Sequence, residues 1–109
     1  MAYDENAAAR LRAELGTLPS LAEKKMFGGI CYLLGGNMVC GVLGHDLIVR
    51  VGKTEYAASL VQPGARVFDF SGKPMTGWVM VAPVGYAAAE DLVRWVKLAV
   101  AFAGALPAK

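Results

Sequence analysis

The stretch from residue 23 to residue 51 constrains the fold more than any other part of the chain, because its apolar residues recur at every second position and glycine pairs cut it into short runs. That pattern predicts four strands, at residues 23–27, 30–34, 37–43 and 46–51. Gly28-Gly29 separates the first strand from the second. Gly35-Gly36 suits a two-residue hairpin turn, since both central positions of such a turn take positive φ. Gly44-His45 reads as the next turn. Strands joined this closely must run antiparallel, so the segment is expected to be a meander.

Helical spacing frames the meander. Residues 4–16 carry Ala7, Ala8, Leu11 and Leu15 on one side, with Asp4 as cap, Glu5 at the positive end, and Gly16 and Pro19 as stop. After the meander, Gly52 caps a short helix at residues 53–60, with Tyr56 and Leu60 one turn apart on its buried side. Two further strands follow, at residues 66–70 and 77–82, separated by the turn residues Ser71-Gly72-Lys73-Pro74. Residues 89–105 form the longest helix, opened by Glu90-Asp91 and closed near Pro107. The expected class is α+β: a mainly antiparallel sheet of about six strands covered by three helices. With 109 residues, the chain is one domain, residues 1–109, with no room for a second core.

Composition excludes several functions. Apolar residues make up 56% and charged residues 18%, which is no disordered tail. The net charge is +2, the pI is 8.6 and the basic residues are scattered, so direct binding to nucleic acid is not expected. Asp4, Glu5, Arg10 and Arg12 stand where a secretory signal needs an apolar run. The longest apolar run, from Leu98 to Leu106, is well short of the ~20 residues that span a bilayer. A cytoplasmic protein without a membrane partner is expected, with Cys31 and Cys40 as reduced thiols.

Residues in patterns that carry chemistry are few. Gly52-Lys53-Thr54 imitates the end of a phosphate loop, but Leu47 occupies the position where that loop needs glycine. His45 is the lone histidine and sits in a predicted turn, so neither a triad nor a multi-histidine metal site is expected. Glu90-Asp91 is explained by the positive end of its helix. No catalytic residue, metal or cofactor is assigned. Counting outward from the Gly35-Gly36 turn puts Cys31 opposite Cys40, with α-carbons ~4.5 Å apart. That pair reads either as a thiol redox sensor or as two small buried apolar residues. Lys24 or Lys25, with Arg50 and Lys73, forms the candidate anion or small-ligand site at one rim of the sheet; solvated charges are the plainer reading.

The last helix presents Leu92, Trp95, Val96, Ala99, Phe102 and Ala103 on one face and only Arg94 and Lys97, then Ala101, Gly104 and Ala105, on the other. That back face is either short-chained solvent surface or a contact surface, and it motivates a homodimer.

Lys24-Lys25-Met26-Phe27-Gly28-Gly29, then Asn37-Met38 and Cys40-Gly41, then Leu47-Ile48-Val49-Arg50-Val51-Gly52, and finally Lys73-Pro74-Met75-Thr76-Gly77-Trp78-Val79, resemble the N-terminal domain of TfoX (Sxy), a family of bacterial regulators of natural competence. The resemblance covers nearly the whole chain and is to a stand-alone, single-domain member. It implies an α+β fold of the type also seen in secretion-chaperone-like proteins and a bacterial cytoplasmic setting. It carries over no catalytic residues. It also implies action through protein contacts, in or near transcriptional control, with an unidentified protein partner for which transcription machinery is the candidate. The leading expectation is therefore a non-enzymatic interaction module, with ligand binding and thiol sensing as alternatives.

Overall fold

The structure, a computed structural model, describes residues 3–16, 18, 20–26, 28–69, 72 and 75–107, and at Met26 the backbone alone. Helix α1 (Glu5–Leu15) starts where Asp4 accepts the N–H groups of Asn6 and Ala7, and it stops at Gly16, whose φ is 61°. Then come β1 (Leu21–Met26), β2 (Gly29–Leu34), β3 (Asn37–Leu43) and β4 (Asp46–Arg50). Helix α2 (Gly52–Leu60), β5 (Ala65–Val67), β6 (Trp78–Val81), α3 (Pro83–Tyr86) and α4 (Ala89–Gly104) complete the chain. All six strands pair antiparallel in one sheet of order β1-β2-β3-β4-β6-β5.

The expected meander is present, and Gly35 and Gly36 turn it with φ of 56° and 84°. β1 begins two residues earlier than the pattern predicts, because Leu21 pairs with Leu34 and both pack on the core. Position 27, assigned to that strand from the sequence, lies outside the described residues. β5 is shorter than expected: it ends at Val67, and Phe68 leaves the strand to pack beneath the sheet with Ile48 and Met80. Phe70 lies outside the described residues. At α2, Val51 takes the cap position while Gly52, with φ of 83°, opens the helix; both N–H groups donate to the carbonyl of Gly77, at 2.8 and 3.0 Å.

The described residues hold four helices rather than three. The additional one, α3, is a single turn that Pro83 starts. Its sequence, Pro-Val-Gly-Tyr, carries no helical periodicity, so it reads as loop. Gly85 is needed there because a β-carbon would collide with the carbonyl of Pro63.

The main core lies between one face of the sheet and the helices. Leu11 of α1, Trp95 and Ala99 of α4, and Val39, Val42, Leu47, Val79 and Val81 of the strands are fully buried there. The other face carries a smaller cluster of Ile48, Phe68 and Met80, with Met38, Leu43 and Trp78 packed around it. Burial on both faces explains why β4 and β6 read as continuous apolar runs.

Two glycines let β2 and β3 approach closely. A β-carbon on Gly29 would collide with the carbonyl of Val42, and one on Gly41 with the carbonyl of Ile30. Backbone cannot yield as a side chain can, so Gly29→Ala and Gly41→Ala are each expected to destabilise by about 1–3 kcal/mol in urea unfolding. Gly104→Ala, on open helix surface, is the control and is expected to be neutral or slightly stabilising.

Candidate functional site

The register at the cysteines departs from the one that the sequence predicts. Leu34 pairs with Asn37 and Leu33 with Met38 as expected, but Tyr32 then pairs with Cys40 and Cys31 with Gly41. Val39 is the extra residue of a β-bulge. A bulge shifts the count by one, so Cys31 and Cys40 are not opposite each other. Cys40 joins the helix-side core with Val39 and Val42. Cys31 alternates with the core residues Ile30 and Tyr32, and therefore points to the other face. Both thiols are free and buried. Burial pushes Cys31 up to about 11 and Cys40 up to about 12, with the neighbouring Cys31 adding to the latter. A redox sensor needs accessible thiolate. This arrangement gives neither access nor thiolate, and the packed, apolar reading of the pair stands.

The described basic residues of the candidate anion site, Lys24, Lys25 and Arg50, do not converge. Lys24 and Lys25 are adjacent on β1, both exposed and projecting from opposite faces of the sheet. Arg50 ends β4, three strands away, or about 14 Å by strand spacing alone. Lys73 lies outside the described residues. The Arg50 guanidinium stands 5.0 Å from the centroid of the Trp78 ring and 5.2 Å from that of Phe102, and its Nη1 donates to the carbonyl of Met38 at 3.4 Å. Its charge is thus engaged by two aromatic faces and a backbone oxygen. Arg50 closes one end of the fold, linking β3, β6 and α4.

His45 sits in the β3–β4 turn with its side chain 81% exposed, its Nδ1 3.3 Å from the Asp4 carboxylate. The N–H of Ala7 holds the Asp4 carboxyl below its ordinary range, assisted by His45. The carbonyl of His45 accepts the hydroxyl of Tyr86. The turn fastens α1 and α3 to the sheet, and polar chemistry at this corner is structural. Among the described residues, no group of three or more His, Cys, Asp and Glu could hold a metal ion.

Concave surface lies elsewhere, where α2 and α4 run over the sheet, meeting closely at Gly52 and Phe102 and leaving hollows around Leu98. One open hollow of about 440 Å³ is lined by Glu90, Val93, Arg94, Lys97, Leu98 and Ala101. Two smaller ones, of about 230 and 280 Å³, lie between the helices and bring in Glu55, Ala58, Val51 and Phe102. Leu98 borders all three, so they form one shallow groove with an apolar floor and charges of both signs on its rim. Sequence reading marked the small residues of the α4 back face. It missed α2 as the second wall, since only the folded chain places α2 beside Leu98.

A six-stranded antiparallel sheet carrying its helices on one face defines an α+β domain whose recognisable residues are mostly structural. Residues 13–103 match the family model of the TfoX N-terminal domain, and the chain belongs to that family. The match runs from within α1 to the penultimate residue of α4. A comparison with curated proteins finds no match, and neither does one with solved structures. Among the described residues, no helix is long and apolar enough to cross a membrane.

Both thiols are expected to resist an aromatic disulfide reagent in the native protein and to react fully once it is unfolded; rapid labelling of either in the native state would contradict the packing above. Their raised values also set a sign. Below the ordinary thiol value of 9.0 they contribute no pH dependence. Above it the unfolded chain ionises while the folded one stays protonated, so stability is lost as pH rises toward about 11 and about 12. The slope is up to about 1.4 kcal/mol per pH unit for each thiol. Denaturation of the wild type against Cys31→Ala/Cys40→Ala across this range isolates the effect.

Proposed function

We propose that this protein is a non-enzymatic interaction module of the bacterial cytoplasm, acting in transcriptional control through contacts with a protein of the transcription machinery. The observation that supports the reading is the groove between α2 and α4. Leu98 and Phe102 are only half-buried and Ala58 and Ala101 are exposed, so the groove offers apolar surface that the fold itself leaves uncovered. Glu55 and Glu90 on its rim call for basic partner groups, while Arg94 and Lys97 call for acidic ones. A partner segment with small apolar residues along its centre and mixed charges at its margins complements both features. The groove is open and shallow, unlike the enclosed, strongly apolar cavities that hold small ligands. Family membership supports the regulatory context, since the TfoX resemblance implies action in or near transcriptional control.

The test compares the wild type with Ala101→Arg, which fills the groove from an exposed helix position. Tagged protein is crosslinked in a bacterial lysate, recovered and its companions identified by mass spectrometry. RNA polymerase subunits or a transcription factor should be enriched with the wild type and lost with the variant. Equal recovery with both chains removes the groove from the proposal, and enrichment of no transcription protein overturns the function.

A further inference from the structure

β1 is an edge strand. It pairs with β2 through all six of its residues, and among the described residues no strand lies on its other side. Ala22, Glu23, Lys24 and Lys25 are all exposed; α1 packs mainly on β3 and α4 and reaches β1 through the Arg12–Glu23 pair. The N–H of Gly35 donates to the carbonyl of Ser20 at 3.2 Å, which fixes the alternation along the strand. Positions 20, 22, 24 and 26 turn their backbone groups toward β2, so Leu21, Glu23 and Lys25 turn theirs outward. The N–H of Leu21 donates to the carbonyl of Leu18 at 3.2 Å, so the outward groups of Glu23 and Lys25 are what the edge offers as a template for adding a strand. The opposite edge, β5, is only three residues long.

The side chains select a partner. Glu23 and Lys25 lie on the same, helix-bearing side of the sheet, because they pair with the core residues Tyr32 and Ile30. They are opposite in charge, and their backbones both face outward. We propose that β1 pairs antiparallel with β1 of a second copy, about a two-fold axis through Lys24 and perpendicular to the sheet. In that register Glu23 of each chain stands opposite Lys25 of the other, and each such pair exchanges both of its N–H···O bonds. The two sheets become one continuous sheet with all helices on the same side. The charges are self-complementary, as a two-fold interface requires. Glu23 remains within reach of Arg12, now 3.4 Å away, so the added lysine joins an existing pair.

One contact opposes the assembly. Lys24 meets its own copy across the axis on the other face, and like charges directly opposite are unfavourable. The dimer is therefore weak and concentration-dependent. It uses the β1 edge, leaves the α4 back face free, and is independent of the groove between α2 and α4.

Sedimentation equilibrium up to millimolar concentration tests it. The wild type should show a reversible monomer–dimer equilibrium. Glu23→Lys and Lys25→Glu, each alone, should weaken it by about tenfold, because both cross-strand pairs become repulsive. An equimolar mixture of the two variants should restore association as a heterodimer, since both opposed pairs of positions 23 and 25 are again of opposite sign. Lys24→Thr should tighten self-association by removing the repulsion on the axis. Circular dichroism melting checks that each variant is folded. A wild type that stays monomeric, a dimer indifferent to the single substitutions, or a mixture that fails to recover association overturns the proposal.

Discussion

Trp95 is the side chain on which the rest of the fold depends. It is fully buried in the helix-side core, and an indole there must find an acceptor for its N–H. The acceptor is the carbonyl of Gly85, at 3.1 Å. Gly85 can lie that close only because it lacks a side chain, since Pro63 packs against it from the loop after α2. One buried ring thus fixes α4, α3 and the α2–β5 connection together. The same device recurs. Tyr32 sends its hydroxyl from β2 to the carbonyl of Ala8 in α1, and Tyr86 sends its own to His45 in the β3–β4 turn. Asn37, buried at the start of β3, donates to the carbonyl of Pro107 beyond α4. Each such bond contributes about 1 kcal/mol net, but an unpaired buried group would cost about 1–3 kcal/mol. Among the described residues, no buried side-chain nitrogen or oxygen lacks a partner. The polar tips act as registration pins: they say which helix goes where, while the apolar mass supplies most of the driving force.

This division explains what could be read from the sequence. The meander was legible because its signals are local: alternation sets the strands, and Gly35-Gly36 sets the turn that brings Leu34 opposite Asn37. α4 was legible for the same reason, since its apolar stripe repeats within the helix. The bulge at Val39 was not, because one extra residue leaves alternation on either side intact and only the pairing reveals it. The consequence reached the candidate site directly, moving Cys31 from Cys40 to Gly41. α3 left no trace because a single turn has no period. Arg50 was misread because its partners, Trp78 and Phe102, come from β6 and α4 and meet it only in the folded chain. Long-range pairing of a charge with rings has no spacing rule.

The residues that mark the family are therefore mostly accounted for by the fold. Gly29 and Gly41 let β2 and β3 approach, Gly52 makes room for the Phe102 ring, and Gly77 receives the N–H groups of Val51 and Gly52. Trp78 packs beneath the sheet with Phe68, their centroids 6.3 Å apart, and covers Arg50. Chemistry that looked available in the sequence is absorbed by these structural duties. The thiols are packed, the lone histidine anchors a turn, and Arg50 is held by rings.

Lys24 and Lys25, which also carry the family likeness, are not accounted for in this way. Neither is buried, and packing demands neither, since strand residues on an exposed edge make few contacts with the core. Lysine on an edge ordinarily keeps other strands away, because two copies would bring like charges together. Here the protection is incomplete. Glu23 sits two positions from Lys25 on the same face, so one particular register converts repulsion into attraction, and Lys24 alone still resists. An edge whose charges favour one register is a selective surface rather than a sealed one. It would favour a strand that matches Glu23 and Lys25 in charge and position, and the chain itself carries that strand.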